Sequence, residues 1–372
     1  MSPHWLQRCC AGIARWRCRR RSPASRTFSL GIFKADRVGD LILAHEAIQI
    51  LARSVPAGDA ALITSDIAAD AAAELFPGLR RIVVTQRGII RGLPAIWRSV
   101  ATLAECRFGQ LACLQHHRSA TQELLLRAPA ANRTTGCANA RRDEGPAPAV
   151  PRSPDFGQTL EYPASPTHLP RELEAHRRVV EAICGSPISP SAMLPRIYRP
   201  APTGHHLLLS PFASHPMRDY GDAGIEAVLL AAQSGTTLPV RLIGSPAQGR
   251  RLRAMAGRLR AAGVRDIAAL DTPTFRSYAD SVASAKLVLT METATAHLAV
   301  AMDKKTLVIL GGGHFGLLGP WHRSDRQRWI HNQVPCYGCD WRCTQPEVLC
   351  ITGIDPNRVA RAVRELWETP AT

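Results

Sequence analysis

Short apolar runs of four to six residues alternate with amphipathic stretches of ten or more residues along most of this chain, beginning at Phe28. Runs of the first kind are typical of buried strands, and stretches of the second kind are typical of surface helices. Strands that alternate with helices form parallel sheets, because each helix carries the chain back to the end where the next strand begins. The pattern therefore predicts an α/β protein.

The apolar runs predict nine strands and the amphipathic stretches predict eight helices. The predicted strands span residues 30–33, 61–64, 82–84, 111–114, 207–210, 240–243, 267–270, 287–290 and 307–310. The predicted helices span residues 40–53, 93–105, 171–184, 222–233, 246–261, 274–285, 293–301 and 356–367. The alternation is interrupted once, which divides these elements into two groups.

The interruption defines the predicted domains. A chain of 372 residues is too long for one ordinary core and suits two domains. Twelve prolines fall between Pro146 and Pro202, which disfavours long regular elements. We therefore predict a basic tail over 1–27, a Rossmann-like domain over 28–140, an irregular interdomain segment over 141–203 and a second Rossmann-like domain over 204–354.

The charge of the chain indicates anionic partners without choosing among them. The net charge is +16, and residues 1–26 contribute seven arginines and no acid. Such an excess favours nucleic acid, anionic lipid or a phosphorylated glycan. Apolar side chains on one face of the tail favour contact with an anionic membrane surface, while an extension without structure or function is the alternative. Eleven cysteines without an export signal predict reduced thiols in the cytoplasm.

The first motif with chemical potential follows the first predicted strand. It contains Arg37, Gly39 and Asp40, and the glycine allows a tight turn into the next helix. A carboxylate at this position can accept a proton from a sugar hydroxyl and so increase its nucleophilicity. The alternative is that Asp40 only caps the helix, which is a common role for aspartate.

Two further motifs follow strands of the second half. Ser214 and Arg218 form a candidate phosphate clamp, with a surface loop as the alternative. The run 290–299 joins a strand to a helix through small residues, so unpaired backbone N–H groups can bind an anion there. His297, one turn into that helix, either reaches the same anion or fills the core. A run of three glycines at 311–313 permits close approach of the backbone to a ligand.

Four cysteines form the sharpest cluster in the sequence. Cys336, Cys339, Cys343 and Cys350 lie within 15 residues, a spacing that suits a tetrahedral metal ion. Zinc is the expected metal and iron the alternative. Two alternatives need no metal: the thiols pack together as free cysteines, or two of them form a redox-active pair.

These motifs together resemble the family 9 glycosyltransferases, whose members include the lipopolysaccharide heptosyltransferases. The resemblance runs from about residue 29 to residue 368 and leaves out the basic tail. It implies the GT-B fold, with two facing doubly wound Rossmann-like domains and a C-terminal crossover helix, here 355–372, that returns to the first domain. It also implies an inverting transfer that needs no metal for catalysis.

The resemblance assigns a role to each motif residue. It implies that Asp40 is the catalytic base, with Arg37 and Gly39 in the acceptor-side loop. The residues implied to bind the donor are Ser214, Arg218, Gln248, Glu292, Thr293, Ala294 and His297. Arg218 replaces a lysine of the family pattern, Glu292 an aspartate, Ala294 a glycine, and Gln248 a glutamate expected on the donor ribose. These replacements put the identity of the donor in doubt more than the class of reaction.

The function implied is transfer of a heptose-like sugar from a nucleotide-diphosphate donor, ADP-heptose being one candidate, to lipopolysaccharide or another lipid-linked bacterial glycan. The expected location is the cytoplasm, with peripheral contact at the inner membrane. The first alternative is a relative of the same fold that binds nucleotide sugar or glycan without transferring it. The second alternative is a nucleic-acid-binding protein with a zinc knuckle. Aromatic residues make up only 5% of the chain, which disfavours that second alternative, and no nucleic-acid partner is expected.

Overall fold

The structure is a computed structural model that describes residues 25–86, 89–138, 157–202 and 204–370. The chain divides into two compact units, Met1–Met193 and Leu194–Thr372. Among the described residues, none of the helices combines the length and the apolar character that crossing a bilayer requires. The predicted basic tail lies outside the described residues up to position 24.

The N-terminal unit contains one parallel sheet of six strands. The strands are β1 (Arg26–Lys34), β2 (Ala60–Ser65), β3 (Arg80–Val84), β4 (Cys106–Cys113), β5 (Ala130–Cys137) and β6 (Gln158–Leu160), in the order β3-β2-β1-β4-β5-β6. The helices are α1 (Val38–Leu43), α2 (His45–Arg53), α3 (Ala69–Leu75), α4 (Ile89–Ala104), α5 (Ala120–Leu126) and α6 (Arg171–Cys184). This strand order is that of a doubly wound fold, in which ligands bind at the carboxyl ends of the strands.

The C-terminal unit repeats this architecture. Its strands are β7 (Leu207–Ser210), β8 (Val240–Leu242), β9 (Ile267–Ala269), β10 (Leu287–Met291), β11 (Thr306–Ile309) and β12 (Gln327–Ile330), in the order β12-β11-β10-β7-β8-β9. Its helices are α7 (Asp222–Ala232), α8 (Gly249–Ala261), α9 (Phe275–Ser284), α10 (Ala294–Ala301), α11 (Leu349–Thr352) and α12 (Pro356–Glu368). Both sheets are parallel throughout, so the predicted α/β class with two Rossmann-like domains is confirmed.

The central strands are buried on both faces, which explains their apolar runs. All four residues of β7 and all five of β10 are buried, and helices cover the two sides of the sheet. Leu207, Leu289 and Ile309 belong to one apolar core that also includes the inner faces of α7, α8 and α12. A parallel sheet is stable only when both of its faces are covered in this way.

The structure divides the chain differently from the prediction. The boundary between the units falls after Met193, and the segment 141–203, predicted as an irregular connection, contributes β6 and α6 to the first unit. Helix α6 matches its predicted span because its amphipathic pattern ends at Gly185, which takes the left-handed conformation of a helix end.

The last helix packs within its own unit. The apolar face of α12 includes Val363 and Trp367 and lies in the same core as α7, β10 and β11. The return of this helix to the first domain, implied by the family resemblance, stays a prediction.

Candidate functional site

The loop after β1 brings three charged side chains to the carboxyl end of the first sheet: Lys34, Asp36 and Asp40. Helix α1 begins at Val38, its N-cap residue is Arg37, and no side chain caps it. Asp40 is therefore the third residue of the helix, and the alternative that it caps the helix is wrong. Its half-buried carboxylate lies in the first turn, where the helix dipole favours negative charge. Arg37 is exposed on the same loop.

Lys34 is fully buried and organises this loop. Its ammonium donates to three acceptors at 3.1 Å each, namely Oε1 of Glu172, Oδ2 of Asp36 and the carbonyl of Leu114. Burial opposes the charge of Lys34, but the carboxylates beside it raise its pKa above the ordinary value. Burial also raises the pKa of Asp36 to about 7, against the lowering effect of Lys34 and with the support of Asp40. The base proposed from the sequence thus has a second carboxyl group near it, whose pKa is raised.

Two buried histidines adjoin the same cluster. Ligand atoms of His116, Glu172 and His176 all lie within 4.8 Å of one another. Burial lowers the pKa of both histidines, so both rings are neutral, as metal ligands must be. Glu172, however, already balances the charge of Lys34, and a cation bound here would lie beside a buried ammonium. We therefore assign Glu172, with His176 beside it, to the support of Lys34.

In the C-terminal unit, three adjacent strands bring the other motifs together. β10 pairs with β7 on one side and β11 on the other, with Thr290 opposite Ser210 and Met291 opposite Ile309. The segments that follow these strands carry Arg218, Glu292 and His314, which meet at the carboxyl edge of the sheet. Parallel pairing therefore joins motifs that are far apart in the sequence.

Glu292 is the centre of this group. Its Oε2 accepts from Nη2 of Arg218 at 2.6 Å and lies 2.8 Å from Nδ1 of His314, while its Oε1 lies 3.2 Å from Nε2 of His297. Burial disfavours the ionised carboxylate, but His314, His297 and Arg218 hold the pKa of Glu292 well below its usual range. The cluster therefore fixes the Arg218 guanidinium in place through a buried carboxylate.

His297 supports Glu292 from inside the core. The indole N–H of Trp321 donates to Nδ1 of His297 at 3.2 Å, and an indole nitrogen can only donate. Nδ1 must then be unprotonated, so Nε2 carries the proton and donates to Glu292. His297 is 2% exposed and both its nitrogens are used. The structure thus favours the reading of His297 as a core residue that orients Glu292.

The remaining predicted donor residues lie at the same edge of the second sheet. Oγ of Ser214 accepts from Nη1 of Arg218 at 3.3 Å, so the predicted pair is in contact. Thr293 caps α10 by accepting from the backbone N–H of Thr295, and Ala294 is the first residue of that helix. Gln248 accepts from the backbone of Ser245 and donates to the carbonyl of Ala213, next to Ser214. Its amide therefore joins the turn after β8 to the loop after β7.

The glycine run contacts protein, which differs from the ligand approach expected from the sequence. A Cβ atom at Gly312 would lie 2.5 Å from the ring of Tyr337, and one at Gly313 would lie 2.6 Å from the ring of Trp341. Both rings belong to the segment 334–343, which we call the cysteine loop. The glycines therefore make room for two aromatic side chains of that loop.

The four clustered cysteines line one pocket of the C-terminal unit. All four thiols are free, and burial together with the neighbouring thiols raises the pKa of Cys343 and Cys350. Within the ranges that the structure describes, no three of these sulfurs lie within 4.8 Å of one another. The predicted donor set is therefore gathered in one place but is wider than a closed metal site.

Sequence reasoning did not find every residue of these clusters. Trp321, Trp341 and His314 had no role in the prediction, and neither did His116 or Glu172. His314 and Trp341 lie beside the glycine run and inside the cysteine cluster, but neither side chain was part of those motifs, and the others come from segments without a motif. A lone glutamate on an amphipathic helix, such as Glu172, gives no signal that it faces a buried lysine.

Comparisons with known proteins agree with this architecture. Residues 189–343 match the family described as glycosyltransferase family 9 (heptosyltransferase). Lipopolysaccharide heptosyltransferase 1 of Pseudomonas aeruginosa is 31% identical over 137 residues, which are 32% of this chain and 37% of that protein. The match thus spans little more than a third of the curated relative.

Solved structures match over nearly the whole chain. The E. coli heptosyltransferase WaaC with ADP has a TM-score of 0.64 at 17% identity and covers 91% of this chain and 99% of its own. A family 9 glycosyltransferase of Veillonella parvula has a TM-score of 0.66 at 12% identity, covering 93% and 98%. E. coli ADP-heptose lps heptosyltransferase II has a TM-score of 0.62 at 12% identity, covering 91% and 98%. These likenesses confirm the predicted fold class.

Proposed function

The chain resembles the family 9 glycosyltransferases, and from this premise we propose that it transfers a sugar from a nucleotide-diphosphate donor to a glycan. The observation that carries the proposal is the Arg218 guanidinium, held by buried Glu292 next to Ser214 and the start of α10. The carboxyl edge of a parallel sheet is where doubly wound folds bind nucleotides. A fixed cation and a helix N-terminus at that edge suit a diphosphate.

Arg218 supplies a fixed positive charge in the proposed donor site. Nη2 of the guanidinium donates to Glu292. Among the hydrogen bonds described for it, the other amino nitrogen, Nη1, donates only to the hydroxyl of Ser214. We assign this second amino group and the Ser214 hydroxyl to the donor diphosphate. Negative charge builds up on the diphosphate as it leaves, so a cation that is already in position stabilises the transition state more than the ground state.

Asp40 is the proposed catalytic base. In the proposed step, the acceptor hydroxyl gives its proton to Asp40 and its oxygen bonds to the anomeric carbon. The bond from that carbon to the diphosphate breaks on the opposite side, which inverts the configuration. The reaction needs no metal in this scheme, because Arg218 and the N–H groups of α10 take the charge of the leaving group. Two features of Asp40 support this role. Its side chain is half-buried in the first turn of α1, and it does not cap that helix.

The names of the similar proteins suggest the substrates. Lipopolysaccharide heptosyltransferase 1 and ADP-heptose lps heptosyltransferase II motivate ADP-heptose as donor and a lipopolysaccharide or other lipid-linked glycan as acceptor. Such an acceptor motivates a cytoplasmic protein in peripheral contact with the inner membrane. Glu292, Ala294 and Gln248 depart from the family pattern on the donor side, so other nucleotide sugars belong in the test.

A screen of donors tests the proposal. Thermal shifts with ADP-, GDP- and UDP-sugars identify the ligand, because only a ligand that binds the folded state raises the melting temperature. A nucleotide-release assay with a lipid-linked acceptor then measures transfer. Arg218→Gln should abolish both signals, whereas Arg258→Gln, which removes an exposed guanidinium paired with Asp222, should retain them. Binding without release would favour the non-catalytic alternative. The absence of both binding and release would refute the proposal.

We also propose that the cysteine pocket holds a structural zinc or iron ion. Four thiols on one pocket form a donor set that fits either metal, and binding would release the thiol protons because the thiolate is the form that binds a metal. The sulfurs would have to move closer together to bind one ion. Elemental analysis of the purified protein, with Cys339→Ser and the scattered Cys184→Ser as a matched pair, tests this. Equal metal content in both variants would refute it.

A further inference from the structure

The cysteine loop is fastened to the glycine run next to the Arg218 cluster. The backbone N–H of Gly338 donates to the carbonyl of Gly312 at 2.9 Å, and the rings of Tyr337 and Trp341 pack on the glycines. Glycine is needed there because any larger residue would overlap those rings. The run 311–313 leads directly into His314, which contacts Glu292. The loop is therefore packed onto the segment that completes the proposed donor site.

Trp341 is held in a conformation that tryptophan rarely adopts. Its φ angle is +61°, and that of Asp340 before it is +50°. Two successive left-handed residues without glycine are unfavourable, and such strain persists only where the surroundings enforce it. The consequence of this backbone turn is the direction of the indole, which points from the loop onto the Arg218 cluster.

The indole of Trp341 contacts two members of that cluster. Its ring lies 5.3 Å from the guanidinium carbon of Arg218, within the range of a cation–π contact. It also meets His314 edge-on, with ring centroids 5.4 Å apart. The Trp341 side chain therefore contacts both Arg218 and His314, the two residues that bind Oε2 of Glu292.

Unpartnered polar atoms gather around this contact. Nε of Arg218, Nε1 of Trp341 and the hydroxyl of Tyr337 are buried and have no hydrogen-bond partner among the described residues. Buried polar atoms are nearly always satisfied, by protein, water or ligand. Three such atoms, on side chains in contact with one another or with the same glycine run, are therefore available to water or to a polar ligand.

We infer that Trp341 is a donor-binding residue whose indole stacks on Arg218 and donates its N–H to the bound nucleoside diphosphate. The inference rests on the proposed function, because it adds Trp341 to the residues of the proposed donor site. It makes the cysteine loop part of the donor site rather than a separate structural module. Cys339 and Cys343 flank Trp341 at two residues on either side, so the thiols and the indole belong to the same loop.

Binding of nucleoside diphosphates tests the inference directly. Titration calorimetry with ADP, GDP and UDP first identifies the one that wild-type protein binds. Trp341→Phe keeps a ring on Arg218 but loses the N–H, so affinity for that nucleotide should fall by about tenfold, the value of one hydrogen bond. Trp341→Ala should lower it further. Trp97→Phe, a partly exposed tryptophan of the other unit, should leave it unchanged.

Fluorescence separates a binding role from a structural one. The nucleotide should quench wild-type and Trp97→Phe protein alike, and the quenching should be largely lost in Trp341→Phe. Unchanged affinity and quenching in Trp341→Phe, with wild-type protein binding the nucleotide, would overturn the inference and leave the proposed function standing. Absence of nucleotide binding by wild-type protein would instead count against the proposed function.

Discussion

The Lys34 ammonium and the Glu172 carboxylate lie 3.1 Å apart in the interior of the N-terminal unit, although 138 positions separate them in the sequence. This ion pair joins the central strand β1 to helix α6, and it does so at the end of the strand that leads to Asp40. The proposed base is therefore anchored by a segment that the sequence pattern assigned to an irregular connection.

Removal of the Glu172 charge should destabilise the N-terminal unit strongly. Glu172→Gln leaves the Lys34 ammonium buried with less compensation, and breaking a buried pair from one side costs about 3–5 kcal/mol. Chemical denaturation followed by circular dichroism measures the loss. Glu181→Gln on the same helix removes a more exposed partner of Arg177 and should cost less than about 1 kcal/mol. Equal effects of the two changes would contradict the buried role of Glu172.

Asp40→Asn should abolish most of the turnover while the fold is retained. The amide keeps the shape of the side chain but cannot accept the acceptor proton, so the rate should fall by about 10²–10⁴-fold. Asp70→Asn is the matched control, because Asp70 also lies in a helix first turn of the same unit and is exposed. The nucleotide-release assay with saturating donor compares the two. Wild-type turnover in Asp40→Asn would remove the proposed mechanism.

The Glu292 cluster should make the stability of the C-terminal unit depend on pH. The folded-state pKa of Glu292 lies well below its unfolded value, so its contribution is complete above about pH 4.3 and is lost as the pH falls through the folded-state pKa. Glu292→Gln lacks this contribution and should be less stable by about 3–5 kcal/mol at pH 7. Its deficit should shrink in denaturation curves recorded from pH 4 downward. Glu365→Gln, an exposed partner of Arg328, should show no such trend.

A methyl group on the glycine run should displace the cysteine loop. Gly312→Ala puts a carbon 2.5 Å from the Tyr337 ring, so the loop must shift and donor affinity should fall by about tenfold or more. Gly257→Ala is the matched control, because its added carbon meets nothing within 4 Å and α8 should gain up to about 1 kcal/mol. Calorimetric titration with the nucleotide and melting curves measure both effects. Unchanged affinity in Gly312→Ala would separate the loop from the donor site.

The sequence predicts the apolar strands well and misses strands that carry polar residues. β7 and β10 are buried on both faces, so their apolar runs are unmistakable. The missed strands β5, β6 and β12 carry polar residues, and β6 has only three residues at the sheet edge, where pairing rather than burial defines it. The single helix predicted over 40–53 is two helices that meet at Ala44. The sequence missed this break because no glycine or proline marks it.

The candidate site is predictable only where a motif follows a strand. Arg218 and Glu292 follow β7 and β10, so the parallel topology brings them to one edge, as their positions in the sequence suggest. His297, by contrast, accepts a hydrogen bond from Trp321 inside the core. This partner lies 24 residues later, and no spacing rule connects the two residues. Long-range pairs of this kind depend on how loops return, which local patterns do not encode.

The position of β1 in the middle of its sheet has a consequence for synthesis on the ribosome. β1 pairs with β2 on one side and with β4 on the other, where Arg26 lies opposite Cys106. One flank of this apolar strand therefore stays open until some eighty further residues have been translated. Distant parallel pairings form slowly, so the nascent N-terminal half should be a preferred client of chaperones until β4 closes that flank.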